Sequence, residues 1–131
     1  MKKLLMITAA AGMLASAASA QEMTLAGAQA LLTEVPGASS CSAPSAPAIP
    51  DGASVSEAEI MEAIGAFQNY QSDSQAYRDC LDAAASNMGE GLTEQHNAAV
   101  TMVYDTNASE VEAVGADMNA QIQAYNAANP D

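Results

Sequence analysis

The chain has 131 residues, half of them hydrophobic, with sixteen acids against three basic side chains and a formal net charge of −13. The bases are Lys2, Lys3 and Arg78. So acidic a chain has no basic face to neutralise phosphates or to dock by charge on an anionic membrane, which excludes nucleic-acid binding and simple membrane-surface attachment. A basic partner, a cation atmosphere or solubility alone is compatible with the charge.

Residues 1–20 read as a secretory signal peptide. Met1-Lys2-Lys3 is the charged start, Leu4 to Leu14 the short apolar block, and Ala18-Ser19-Ala20 a small-x-small cleavage site. Cleavage after Ala20 leaves 111 residues that hold all sixteen acids and the single arginine, a side-chain charge of −15 with His96 neutral. No cysteine stands at the cleavage point, so a lipoprotein anchor is not indicated. No later apolar run approaches the ~20 residues needed to span a bilayer. The expected location is the bacterial periplasm or the medium, an oxidising place for Cys41 and Cys80.

Residues 21–52 are expected to form a short helix followed by a Pro-rich arm. Thr24 suits an N-cap, and Leu25, Ala28, Leu32 and Val35 would share one face over 21–35. Pro36-Gly37 ends that helix. Pro44, Pro47 and Pro50 recur at every third position, which favours an extended polyproline II segment, read as a stiff linker tied down by Cys41. A Pro-rich ligand for the aromatic groove of another protein is the alternative.

Residues 53–131 are expected to form a helical hairpin. Ser54/Glu57 and Ser56/Glu59 both fit a capping box at the start of a helix over 56–86. Ile60, Ala63, Phe67, Tyr70, Ser74, Tyr77 and Leu81 step along one apolar seam, with Cys80 at its border. Asn87-Met88-Gly89 marks a turn. A second helix should start near Leu92 or Thr93 and run to about Ala127. Its stripe is His96, Val100, Val103, Asn107, Val111, Val114, Met118, Gln121 and Tyr125, with one heptad slip at Asn107. The fold class is all-α: an antiparallel two-helix hairpin with an extended Pro-rich N-terminal arm, room for a short third helix, and one disulfide. A hairpin alone is marginal at this size. The disulfide, residues 25–35 packed on top, or a second copy of the hairpin would supply the deficit.

Two cysteines allow one intramolecular pairing. A Cys41–Cys80 bridge closes a loop of about forty residues and contributes roughly 4 kcal/mol on chain-entropy grounds. An intermolecular bridge is the second option. A redox role is the third, disfavoured by the lack of a Cys-x-x-Cys motif and the single base nearby, Arg78.

Cys41 with Pro44, Pro47, Ile49, Pro50, Asp51 and Gly52, then Tyr77-Arg78-Asp79-Cys80-Leu81, then His96-Asn97-Ala98-Ala99-Val100 and Asn119-Ala120-Gln121, form a pattern over most of residues 41–125. It resembles short exported or envelope proteins of alphaproteobacteria. The resemblance implies an exported helical hairpin with one disulfide. That group carries no established activity, so no catalytic residue is carried over.

His96 is the only histidine. With both cysteines expected to be oxidised and no Gly-x-Ser-x-Gly elbow, no nucleophile–base pair can be assembled. Its stripe position reads as packing. Carboxylate pairs occur at helical spacing (Glu59/Glu62, Asp79/Asp82, Glu90/Glu94), but no Glu-x-x-His motif or EF-hand loop accompanies them. Glu90, Glu94 and His96 near the turn are weak candidates for a divalent cation. Met23, Met61, Met88, Met102 and Met118 are scattered, which suits gap-filling better than thioether ligation. Asn107-Ala108-Ser109 matches the glycosylation acceptor pattern, without meaning in bacterial export.

The expected function is non-enzymatic: an exported helical protein that acts by protein contact, self-association included, or as an envelope structural component. It needs no cofactor and no catalytic residue. The alternative is a weak divalent-cation binder or an acidic chaperone-like module.

Overall fold

The computed structural model describes residues 22–131; the signal-peptide segment lies outside them. The described residues hold three α-helices, three short 3-10 turns and no strand. The helices are α1 (Leu25–Leu32), α2 (Glu57–Met88) and α3 (Glu94–Ala128).

Local chemistry sets most of the helix ends. Thr24 caps α1, its hydroxyl accepting from the Gly27 N–H at 3.0 Å. The helix stops at Leu32, short of the expected Val35. The N–H groups of Thr33, Glu34 and Val35 turn to carbonyls three residues back, a tightening that closes the helix before Pro36. Gly37 then adopts φ +87°, a left-handed conformation that favours glycine, and leads into a 3-10 turn over Ala38–Ser40.

Residues 42–50 form neither helix nor strand. The segment is tied at both ends. Cys41 is bonded to Cys80 of α2. At the other end the Gly52 N–H donates to Gln121 Oε1 of α3 at 2.9 Å.

Of the two capping boxes expected before α2, Ser56/Glu59 forms. The Ser56 hydroxyl accepts from the Glu59 N–H, and the Glu59 carboxylate accepts from the Ser56 N–H at 2.7 Å. Ser54 does not cap with Glu57: its hydroxyl bonds Asp51 Oδ2 within the 3-10 turn Gly52–Ser54. At its far end α2 runs two residues beyond the expected limit, to Met88, and Gly89 (φ +51°) ends it. Thr93 caps α3, accepting from the His96 N–H at 3.1 Å.

Residues early in α2 lie against residues late in α3. Phe67 packs on Gly115, and Ser74 hydrogen-bonds Asn107. Two buried clusters follow. In the larger, Ala28, Leu32, Val35 and Ala38 join Tyr77, Leu81 and Ala84 of α2 and Ala99, Val100 and Val103 of α3. Residues 23–35 thus pack on the two long helices through α1. In the smaller, Ile60, Ala63 and Met118 are covered by partly buried Ile49, Val55, Ile64, Phe67, Ile122 and Tyr125.

The expected seam is unevenly covered. Tyr70, Tyr77, Leu81, Val100, Val103 and Met118 are buried, whereas Phe67, Val111 and Val114 remain half-buried. α1 covers the end of the long helices nearest their connection, and the segment with Ile49 and Val55 covers the other end, so Phe67, Val111 and Val114 fall between the two covers. Leu25, expected on the apolar face of α1, is 39% exposed. It sits in the first turn, at the rim of a crevice with Ala43 and Val103 where the packing surface ends.

Candidate functional site

Chemistry-bearing side chains gather in three places: the arm junction, the middle of the α2–α3 contact and the start of α3. At the junction Cys41 and Cys80 form the expected bridge, with a Cα–Cα distance of 5.7 Å and no free cysteine among the described residues. The sulfurs are joined to each other, so they are unavailable as nucleophile or ligand in this state. The bridge fits an oxidising compartment.

The middle of the α2–α3 contact is polar. Ser74 is fully buried and Asn107 is 4% exposed. Arg78 Nη1 donates to Asn107 Oδ1 at 2.7 Å, and Asn107 Nδ2 donates to the Ser74 hydroxyl at 3.4 Å. Arg78 Nη2 donates to Gln75 Oε1 at 2.9 Å, and Gln75 in turn donates to Asp79 at 2.8 Å. The guanidinium also lies over the Tyr104 ring, 5.7 Å from its centroid, at cation–π range. The slip in the α3 heptad at Asn107 therefore marks a polar crossing between two apolar clusters. A buried amide with a matched partner specifies helix register more than it adds stability. The same contacts bury the Asn107 amide, which closes the glycosylation pattern to modification in the folded protein.

Next to this layer, Tyr77 titrates above the usual phenol range, because burial disfavours the phenolate and the Glu110 carboxylate adds repulsion. Glu59 titrates below the usual carboxyl range, held there by the Ser56 N–H and then by the Ser56 hydroxyl.

At the start of α3, His96 Nε2 meets Glu34 Oε2 at 2.9 Å, linking α3 to the chain just beyond α1. Its ring Nδ1 is buried with no hydrogen-bond partner among the described residues. Glu90 and Glu94, the other two members of the weak cation candidate, are both exposed. The histidine faces Glu34 instead, because it lies on the side of α3 that α1 covers. No group of three or more His, Cys, Asp or Glu side chains among the described residues is placed to hold a metal ion.

A further surface feature lies elsewhere. A shallow open groove of about 890 Å³ follows the outer face of α3 from Asn97 to Ala113. Ala98, Met102 and Ala113 contribute to its mostly apolar lining; Asp105 and Glu110 bring carboxylates. Within this stretch the Thr106 hydroxyl donates to the Met102 carbonyl at 2.7 Å, a back-bond of the kind that bends helices.

Sequence reasoning missed the Arg78–Asn107 pair, the Glu34 partner of His96, the Gly52–Gln121 tie and this groove. A polar residue on an otherwise apolar stripe was the available signal for Asn107. The other three join residues distant in sequence, or depend on which face is left uncovered, and had no local signal. No protein-family model, curated protein or solved structure matches the chain.

Proposed function

We propose that this is an exported, non-enzymatic helical protein that acts by contact with another protein. In this reading α2 and α3 form an antiparallel hairpin, and the Pro-rich arm is a strap held by Cys41–Cys80 and by Gly52–Gln121. The likeness to short alphaproteobacterial envelope proteins and the signal-like residues 1–20 support export to the periplasm or medium. No helix among the described residues is long and apolar enough to cross a membrane.

The observation that carries the reading is the open face of α3, a shallow surface of about 890 Å³ where Ala98, Met102 and Ala113 stand among Thr101, Asp105, Ser109 and Glu110, with no other element packed over it. Three of the polar side chains that bear chemistry are instead engaged within the fold: Arg78 with Asn107, His96 with Glu34, and Glu59 with its own helix cap.

Site-specific photo-crosslinking in the native host tests the reading. A photoreactive residue is placed in turn at exposed positions such as Ser109, Asp82, Glu62 and Gln123. Discrete adducts with another protein, or with a second copy, are expected from one contiguous face. Absence of adducts from every position overturns the reading. Light scattering of the oxidised protein separates a self-associating envelope component from a monomer that binds a different protein.

A further inference from the structure

We propose that the α3 groove receives a basic amphipathic helix of a partner protein. The proposal rests on the reading of this protein as a contact module and names the chemistry of its partner. The groove spans seventeen residues of α3, from Asn97 to Ala113, sixteen steps or about 24 Å at 1.5 Å rise per residue. That length matches four to five turns of a second helix. Ala98 and Ala113 are small and let another backbone approach closely, while Met102 offers an adaptable apolar contact. An apolar stripe at i, i+3, i+4 and i+7 spacing is the shape that fits such a face.

Charge selects among the occupants. Asp105 and Glu110 line the groove, and Glu94, Glu112 and Asp117 complete the acids of α3, a helix with no Lys or Arg. The one Arg among the described residues, Arg78, is engaged with Asn107, Gln75 and the Tyr104 ring. A second copy of this chain would bring a like charge of −15 to the face. An anionic lipid surface would be repelled as well. A helix with Lys or Arg flanking its apolar stripe meets complementary charge at Asp105 and Glu110 and small apolar contacts at Ala98, Met102 and Ala113.

The probe is a fluorescein-labelled sixteen-residue peptide of Leu and Lys in the i, i+3, i+4, i+7 pattern, titrated with the purified oxidised protein and read by anisotropy. Saturable binding at low salt is expected, weakened about fivefold or more between 20 and 300 mM NaCl, as screening of exposed charge requires. Asp105→Asn with Glu110→Gln should weaken it at least tenfold, and Ser109→Arg, which fills the groove with a like charge to the peptide, should do the same. Glu62→Gln with Asp82→Asn removes two exposed acids from α2 and should change affinity less than twofold. Circular dichroism establishes that each variant keeps its helix content. The proposal is overturned if the α2 pair weakens binding as much as the α3 pair, if a scrambled peptide of the same composition binds equally, or if no binding is seen at low salt. Crosslinks from other faces, together with a peptide that does not bind, overturn this proposal and leave the contact reading standing. A chain that crosslinks from no face overturns both.

Discussion

Arg78 Nη1 donates to Asn107 Oδ1 at 2.7 Å across the α2–α3 contact, and Asn107 passes the chain of bonds on to the fully buried Ser74. The single strong base of the described residues, half-buried, is thus engaged by the fold's own side chains. Asn107→Ala would leave the Ser74 hydroxyl buried without that donor and the guanidinium short of an acceptor. An unsatisfied buried polar group costs about 1–3 kcal/mol. We expect a loss in that range by urea denaturation; a loss below about 0.5 kcal/mol would mean that the layer contributes no net stability.

The arm should matter to stability chiefly through its bridge. Cys41 and Cys80 are 39 residues apart, and closing such a loop stabilises the fold by about 4 kcal/mol on chain-entropy grounds. Cys80→Ser should therefore lower Tm markedly under oxidising conditions. Reductant should lower the wild-type Tm by a similar amount and leave the variant unchanged. Equal melting of the two oxidised proteins would show that the bridge adds nothing.

Two glycines make opposite predictions under the same substitution. A Cβ on Gly52 would lie 1.8 Å from the backbone carbonyl oxygen of Gln121, which cannot swing aside as a side chain can. Gly52→Ala should cost about 1–3 kcal/mol as an overpacked contact and loosen the Gly52–Gln121 hydrogen bond. Gly65 lies within α2 with nothing within 4 Å of its added Cβ. Gly65→Ala should stabilise the protein by about 0.5–1 kcal/mol through helix propensity. Thermal melts of the two variants should shift in opposite directions.

The capping box gives a signed pH dependence. The Glu59 carboxyl titrates below its ordinary value of 4.5, so the ionised form is the one the fold favours. Its contribution is fully present above pH 4.5 and is lost as pH falls through the lower folded value. The Tm difference between wild type and Glu59→Gln should be widest above about pH 5 and shrink in acid. The other carboxylates titrate alike in both proteins, so the difference isolates Glu59. A gap that does not change with pH would remove the cap carboxylate as its cause.

Tyr77 has the opposite sign. Its phenol titrates above the ordinary value of 10.0, chiefly through burial, so the fold favours the neutral form. The favourable contribution is present below pH 10 and is lost as pH rises toward the folded value. Tyr77→Phe should gain stability relative to wild type as pH climbs past about 10. Chemical denaturation at pH 9 and pH 11 measures this, and an unchanged difference would show that the phenolate is not resisted by the core.

The helix ends were legible because their causes are local. Thr24, Ser56 and Thr93 each cap a helix within three residues of themselves, and Gly89 ends α2 by its own backbone freedom. Periodicity located the stripe but not its cover. Val111 and Val114 follow the same spacing as Val100 and Val103, yet stay half-buried because they fall between the stretch covered by α1 and the stretch covered by Ile49 and Val55. The Glu90, Glu94 and His96 cluster looked plausible from proximity along the chain. Proximity along a chain does not say which way a ring turns, and His96 turned to Glu34, sixty-two residues earlier.

Acidity, the single cysteine pair and the positions of the long helices are properties of neighbouring residues and of composition, and they can be read without a fold. The packing of α1 on the long helices, the pairing of Arg78 with Asn107, the seating of Gly52 on Gln121 and the open face of α3 depend on contacts between distant residues. Such contacts are selected by how volumes and polar groups fit once the chain has collapsed, and that fit has no periodic signature along the sequence.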